Sequence, residues 1–454
     1  MYKVIERVGR GSYSIVYKAN FFLKKQKTLT AVKKFTQHES NQGIDATTLR
    51  EISLLTGMNH SNLIKLIFIE PNYRYVVMDY YQYDLKKLIE TLPNTVDENL
   101  SFITFEIIKG INYFHSKQVI HRDIKPANIL ISLTDKINVV ITDLGISRKH
   151  TTGDKTPEIC TIWYRPPEIL LGQRDYDYSV DMWSLGCVIG EMITKEPLFD
   201  GENELDQLNK IFKLLGTPAN YPLLNGFNFI NHPNSVDDKF STIDPDLKIL
   251  LKQLLTVDPL YRITSLDSVK SACFSFYSTV IETQTNELPL DLSKSLDNHS
   301  EITLSNRETL LEWLIEVKTE YNLSTVSYLR AQHILDRFCY KTQNIKRNNY
   351  QLIGITCLWI ASKIEEVSSI DSKEIVYVTD YTYTMKELLK MEKTILNTLG
   401  YDVYFKIPSD YIMYPTKEDY SMMTKVGFNL EFMKYNVNQL CPNNFPKEVK
   451  SWLD

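Results

Sequence analysis

The chain is poor in glycine and proline, with 16 and 17 in 454 residues, and has no internal repeat or low-complexity tract. That excludes a collagen-like or largely disordered architecture. No apolar run approaches the roughly 20 residues needed to span a bilayer. Residues 1–7 carry Lys3, Glu6 and Arg7 where a leader would be apolar, so a soluble, unexported protein is expected. Cysteine is sparse as well. Cys160, Cys187, Cys273, Cys339, Cys357 and Cys441 are scattered, without a C-x-x-C pair or a histidine at zinc spacing, so reduced, buried thiols are expected. Neither charge dominates: 51 Lys and Arg stand against 56 Asp and Glu, a formal net charge of -5. With no basic surplus, neither nucleic acid nor an anionic membrane is an expected partner, and any anion site must be local.

What is present fits two or three globular units, with 43% hydrophobic and 24% charged residues. The first eighty residues alternate β-branched and aromatic positions, which predicts strands at 3–8, 14–20, 30–35, 63–69 and 75–79, with one helix over 48–57. From about residue 99 to 276 the pattern is mainly helical, with apolar residues three and four apart. A polar stretch without period, 278–305, reads as a linker. Helical segments follow at 310–321, 326–340, 350–366 and 385–399 without strand signals, so the second unit should be all helical.

The chemistry-bearing residues fall in a fixed order. Gly9-Arg10-Gly11-Ser12-Tyr13-Ser14-Ile15-Val16 lies between two strand-like runs, where glycines let backbone N–H groups approach a polyphosphate. Ala31-Val32-Lys33 follows on a strand and Glu51 on the next helix. Then come His121-Arg122-Asp123-Ile124-Lys125-Pro126-Ala127-Asn128 and Asp143-Leu144-Gly145. Over residues 1–277 the sequence resembles a eukaryotic protein kinase, which implies an α+β fold with a small lobe (1–80) and a large lobe (81–277). Phosphoryl transfer depends on positioning and electrostatics, and the resemblance assigns those tasks. Lys33, paired with Glu51, neutralises ATP phosphates; Asn128 and Asp143 hold Mg²⁺; Asp123 orients the substrate hydroxyl; Lys125 sits near the transferring group, as in serine/threonine kinases. Gly9, Gly11, Val16 and Ala31 would enclose ATP, with adenine at the backbone of Asp79, Tyr80 and Tyr81 and Met78 behind it.

Residues 43–55, which include Leu49-Arg50-Glu51-Ile52, narrow the likeness to cyclin-dependent kinases, together with 161–172, 181–186 and Leu215-Gly216-Thr217-Pro218. The family's activating phosphate would sit on Thr156, surrounded by Arg50, Arg122 and Arg148, and placed there by an activating kinase. Its inhibitory phosphates would fall on Tyr13 and Ser12. Substrates would be Ser or Thr followed by Pro, read near Arg165 and Cys160-Thr161. Asp181 and the pair Glu168 with Arg262 read as scaffold. Ser14, Leu144 and Pro166 depart from the family pattern.

The second half resembles a mitotic-type cyclin box over 306–408, on Arg307, Trp313, Tyr321, Asp336, Tyr350-Gln351, Ala361-Ser362-Lys363 and Met391-Glu392. Arg307 and Asp336 would tie its first helices together, while Lys363 and Glu392 would contact the kinase. Asn306 and Thr309 replace apolar residues of the substrate-docking patch. Residues 409–454 read as a partial helical extension. A flexible linker over 278–305 would span roughly 30 Å and hold the two halves at high effective concentration. The implied protein is a kinase carrying its activator in cis, or exchanging it in a dimer, in the cytoplasm or nucleus. The rival reading is a catalytically weak scaffold that sequesters cell-cycle regulators.

Overall fold

The computed structural model describes residues 2–10, 14–23, 26–35, 42–134, 136–149, 161–218, 221–224, 229–277 and 295–404. The small lobe is an antiparallel sheet in the order β1-β2-β3-β5-β4, built from β1 (Tyr2–Arg10), β2 (Ser14–Leu23), β3 (Gln26–Phe35), β4 (Leu66–Ile69) and β5 (Tyr75–Asp79). Strands β2 and β3 form a hairpin paired from Ser14↔Phe35 to Leu23↔Gln26, longer than the alternation predicts. Strand β4 starts later than predicted, because Leu63 makes only an isolated bridge to Ile141. Helix α1 (Ala46–Gly57) lies beside the sheet. It starts where the Asp45 carboxylate accepts the Thr47 and Thr48 N–H groups, satisfying donors that have no partner within the helix.

The large lobe runs through β6 (Tyr83–Asp84), α2 (Leu85–Thr91), α3 (Pro93–Glu98), α4 (Leu100–Ser116), β7 (Val119–Ile120), β8 (Ile129–Leu133), β9 (Ile137–Ile141) and β10 (Arg148–Lys149). It continues through α5 (Pro167–Leu170), α6 (Ser179–Thr194), α7 (Glu204–Leu215), α8 (Val236–Lys239), α9 (Pro245–Leu254) and α10 (Ser265–Val269). Helix α6, mostly apolar, is buried from Val180 to Met192 and forms the centre of the lobe. Arg262 and Glu168 form a buried two-pronged ion pair at 2.7 and 2.9 Å.

The second unit is all helical: α11 (Leu304–Glu320), α12 (Thr325–Lys341), α13 (Arg347–Glu365), α14 (Ser372–Val378) and α15 (Met385–Leu399). Helix α13 is its axis, with α11, α12 and α15 packed around it. Arg307 donates to Asp336 at 2.8 and 2.6 Å, tying α11 to α12 as expected. The stretch assigned to the linker, 278–305, is not linker throughout. His299 Nε2 donates to the Cys339 carbonyl at 2.9 Å, its Nδ1 accepts the Ile345 N–H at 3.1 Å, and Ile302 is buried. Residues 295–303 therefore pack on the helical unit, and α11 begins at a Thr303–Asn306 capping box rather than at residue 310. Residues 278–294 and the proposed extension over 409–454 lie outside the described residues.

Cys187, Cys339 and Cys357 are buried free thiols, and Cys273 is half-buried; Cys160 and Cys441 lie outside the described residues. Among the described residues no helix is long and apolar enough to cross a membrane.

Candidate active site and its contact with the helical unit

Lys33 sits mid-strand in β3, between Val16 of β2 and Val76 of β5, so its position is set by hydrogen bonds on both edges. Its Nζ lies 2.5 Å from Glu51 Oε1 and 3.3 Å from Asp143 Oδ1. Burial alone would lower the Lys33 pKa. The Glu51 and Asp143 carboxylates outweigh that and hold it above the usual lysine value. Lys33 in turn holds the Asp143 carboxyl below the ordinary range. Asp143 has φ +66, a left-handed backbone uncommon outside glycine and of the kind found where structure over-determines a site. Gly145 brings this turn against α1, since a Cβ there would lie 3.2 Å from Thr47 Cγ2.

The catalytic loop is held from below. The Asp181 carboxylate accepts the backbone N–H groups of His121 and Arg122, both at 2.8 Å, and faces His115 Nε2 at 3.0 Å. Asp123 Oδ2 lies 2.7 Å from Lys125 Nζ and accepts Asn128 Nδ2 at 2.9 Å. Lys125 also donates to Thr161 Oγ1 at 3.1 Å. Because Asn128 uses its amide nitrogen on Asp123, its oxygen is what it can offer a cation. That oxygen and the half-exposed Asp143 carboxylate suit Mg²⁺, a hard cation that takes few protein ligands and fills its shell with water and phosphate. Among the described residues no cluster of three His, Cys, Asp or Glu competes for a metal.

Around the expected nucleotide site, Gly9 pairs with Val16, and Ala31 pairs with Met78, which is buried. Half-buried Asp79 donates its N–H to the Lys65 carbonyl at 3.2 Å, and burial raises its carboxyl pKa. The Tyr81 hydroxyl accepts from Asn138 Nδ2 at 3.3 Å, and its pKa is pushed up to about 12, mainly by burial. Gly11, Ser12, Tyr13 and Thr156 lie outside the described residues, as does the side chain of Arg148. Arg122 is buried and donates to the Ile146 carbonyl and, at 3.0 Å, to the Tyr176 hydroxyl. Arg165 pairs with Glu204 at 3.0 Å.

Helix α1 packs against α13. Lys363 Nζ donates to the carbonyls of Gln42 and Ile44 at 2.7 and 3.0 Å and to Glu392 Oε1 at 2.6 Å. Glu392 Oε2 accepts the Ile44 N–H at 3.2 Å, and Arg50 Nε donates to the Lys363 carbonyl at 3.1 Å. The sequence reading missed Trp359, whose ring centroid lies 3.5 Å from Lys363 Nζ; four-residue spacing on one helix was the available signal. It also missed Gln42, Asn72, Asp371 and Lys393, which bond across the contact and whose pairing no local pattern announces.

A lysine clamped between two carboxylates, together with an aspartate steadied by lysine and asparagine, is the arrangement of a protein kinase phosphoryl-transfer site. The family model of the protein kinase domain matches residues 2–274, and that of the cyclin N-terminal domain matches residues 275–404. The chain belongs to the protein kinases, as a serine/threonine kinase of the cyclin-dependent type with a cyclin domain on the same chain. It is similar to "Cyclin-dependent kinase 1" of Encephalitozoon cuniculi (strain GB-M1), 35% identical over 298 residues, 62% of this chain and 99% of the relative. "Cyclin-dependent kinase 11B" of Homo sapiens is 33% identical over 290 residues, 60% of this chain and 36% of the relative.

Proposed function

We propose that the chain transfers the γ-phosphate of ATP to Ser/Thr-Pro sites in proteins and is switched on by its own cyclin domain. The observation that carries this reading is the 2.5 Å Lys33–Glu51 pair, on a helix whose other side rests on α13. In kinases of this type that pair must be closed for activity, and anything that fixes α1 favours the closed state.

Lys33 holds the α- and β-phosphates and Asp123 orients the substrate hydroxyl and accepts its proton, while Lys125 offsets negative charge on the transferred group. Asn128 and Asp143 would hold Mg²⁺, which when bound neutralises charge on the phosphates. Phosphorylation of Thr156 by another kinase is the second activating input, through Arg50, Arg122 and Arg148.

The test is to incubate the purified full chain with Mg-ATP and a Ser-Pro peptide, adding no separate cyclin. Wild type is expected to phosphorylate the peptide, Asp143→Asn to fail and Lys363→Ala to fall sharply. Unchanged turnover in Lys363→Ala removes internal activation. No transfer by wild type, even with Thr156 phosphorylated, would leave the scaffold reading.

A further inference from the structure

Beyond the buried Lys363–Glu392 centre, one half-buried side chain reads the helical domain in a way only a carboxamide can. Gln42 Nε2 donates to Asp371 Oδ2 at 2.7 Å, and Gln42 Oε1 accepts the Ser372 backbone N–H at 2.9 Å. Asp371 is itself polarised, because its other oxygen, Oδ1, accepts the Lys373 N–H at 2.8 Å. Both ends of the Gln42 amide are thus fixed by partners that cannot exchange roles: a backbone N–H only donates and a carboxylate only accepts.

We infer that Gln42 and Asp371 form a reciprocal donor–acceptor code by which the kinase lobe selects its own cyclin domain. The code deepens the proposed internal activation, resting on the same docking and naming what chooses the partner. It fits a helical domain that presents a carboxylate followed directly by a free backbone N–H. Gln42→Glu would set two carboxylates against each other with no proton between them. Asp371→Asn fails against Gln42 for a different reason. If the introduced asparagine keeps the Lys373 N–H on its oxygen, its amide nitrogen meets Gln42 Nε2, donor against donor; turning the Gln42 amide only moves that conflict to Ser372. Combining the two changes restores every bond, because the carboxylate introduced on the kinase lobe accepts from both the asparagine amide and the Ser372 N–H.

The code is tested by hydrogen exchange on the full chain, read at the Ile44 N–H, whose acceptor Glu392 belongs to the docked cyclin domain. Protection of Val188 in the large-lobe core reports that each variant is folded. Gln42→Glu is expected to lower Ile44 protection about tenfold, and Asp371→Asn about threefold. The double variant is expected to return to within about twofold of wild type. Unchanged protection in Gln42→Glu, or a double variant no better than Gln42→Glu alone, overturns the code. Peptide phosphorylation by the same samples separates the two ideas. Lost protection with undiminished turnover discards internal activation and leaves the code standing.

Discussion

Lys363 and Glu392 stand 2.6 Å apart with 3% and 0% of their side chains exposed, and both direct their remaining hydrogen bonds at the backbone of residues 42–44. Burial pushes the Lys363 pKa down and the Glu392 pKa up, and each opposes that push on the other. The pair is therefore held by its geometry, and neither member is tolerable alone. Removing one charge should weaken docking by about 3–5 kcal/mol. Lys363→Met with Glu392→Leu should cost less than either single change. Exchange of the Ser372 amide, whose acceptor Gln42 lies across the contact, checks this in the three variants.

Gly43 occupies the turn that both charges grasp, at φ +68. A Cβ there would lie 2.0 Å from Glu392 Oε2, and an L-residue in that backbone region costs roughly 1–2 kcal/mol before any collision. Gly43→Ala should weaken docking through both the strain and the collision, and adding Glu392→Ala should remove the collision but leave Lys363 buried without its partner, so the double variant should dock no better than Gly43→Ala. Exchange of the Ser372 amide reads both.

Glu51→Gln removes the anion that keeps Lys33 charged and aimed while preserving shape. Peptide kcat/KM should fall about 10²-fold with little change in thermal stability, a split that steady-state kinetics and calorimetry record together.

Asp181 contributes to acid stability. Burial raises its pKa, but the His115 hydrogen bond, the neighbouring imidazoles and the Arg122 N–H outweigh that and hold it below the usual aspartate value. A depressed carboxyl contributes stability that is complete above its unfolded value, about 3.9, and is lost as pH falls toward the folded one. Asp181→Asn should therefore lower stability near neutrality by about 2–3 kcal/mol and flatten its decline below about pH 4. Urea unfolding across that range is the check.

The motifs from Lys33 to Asp143 were legible because each is a short string whose residue types the chemistry demands. Strand and helix identities followed from periodicity, whereas their ends were set by partners far along the chain. Helix α14, of 7 residues, was missed because two turns are too short to display a period. The polar composition before residue 304 concealed a packed segment, since His299 is buried through two hydrogen bonds rather than through apolarity. Gln42 and Asp371 were invisible for a simpler reason: 329 positions separate them.

Helix α1 is buried without interruption from Thr48 to Leu55, on faces that would ordinarily alternate between core and solvent. Its covering helix, α13, lies about 300 residues later in the chain, so at translation rates of roughly 5–20 residues per second the ribosome releases α1 about 15 to 60 s before its cover exists. During that interval the nascent small lobe displays the uncovered flank of α1 beside a finished sheet. Biogenesis of the fused chain thus includes a waiting period in which a chaperone has a defined surface to shield.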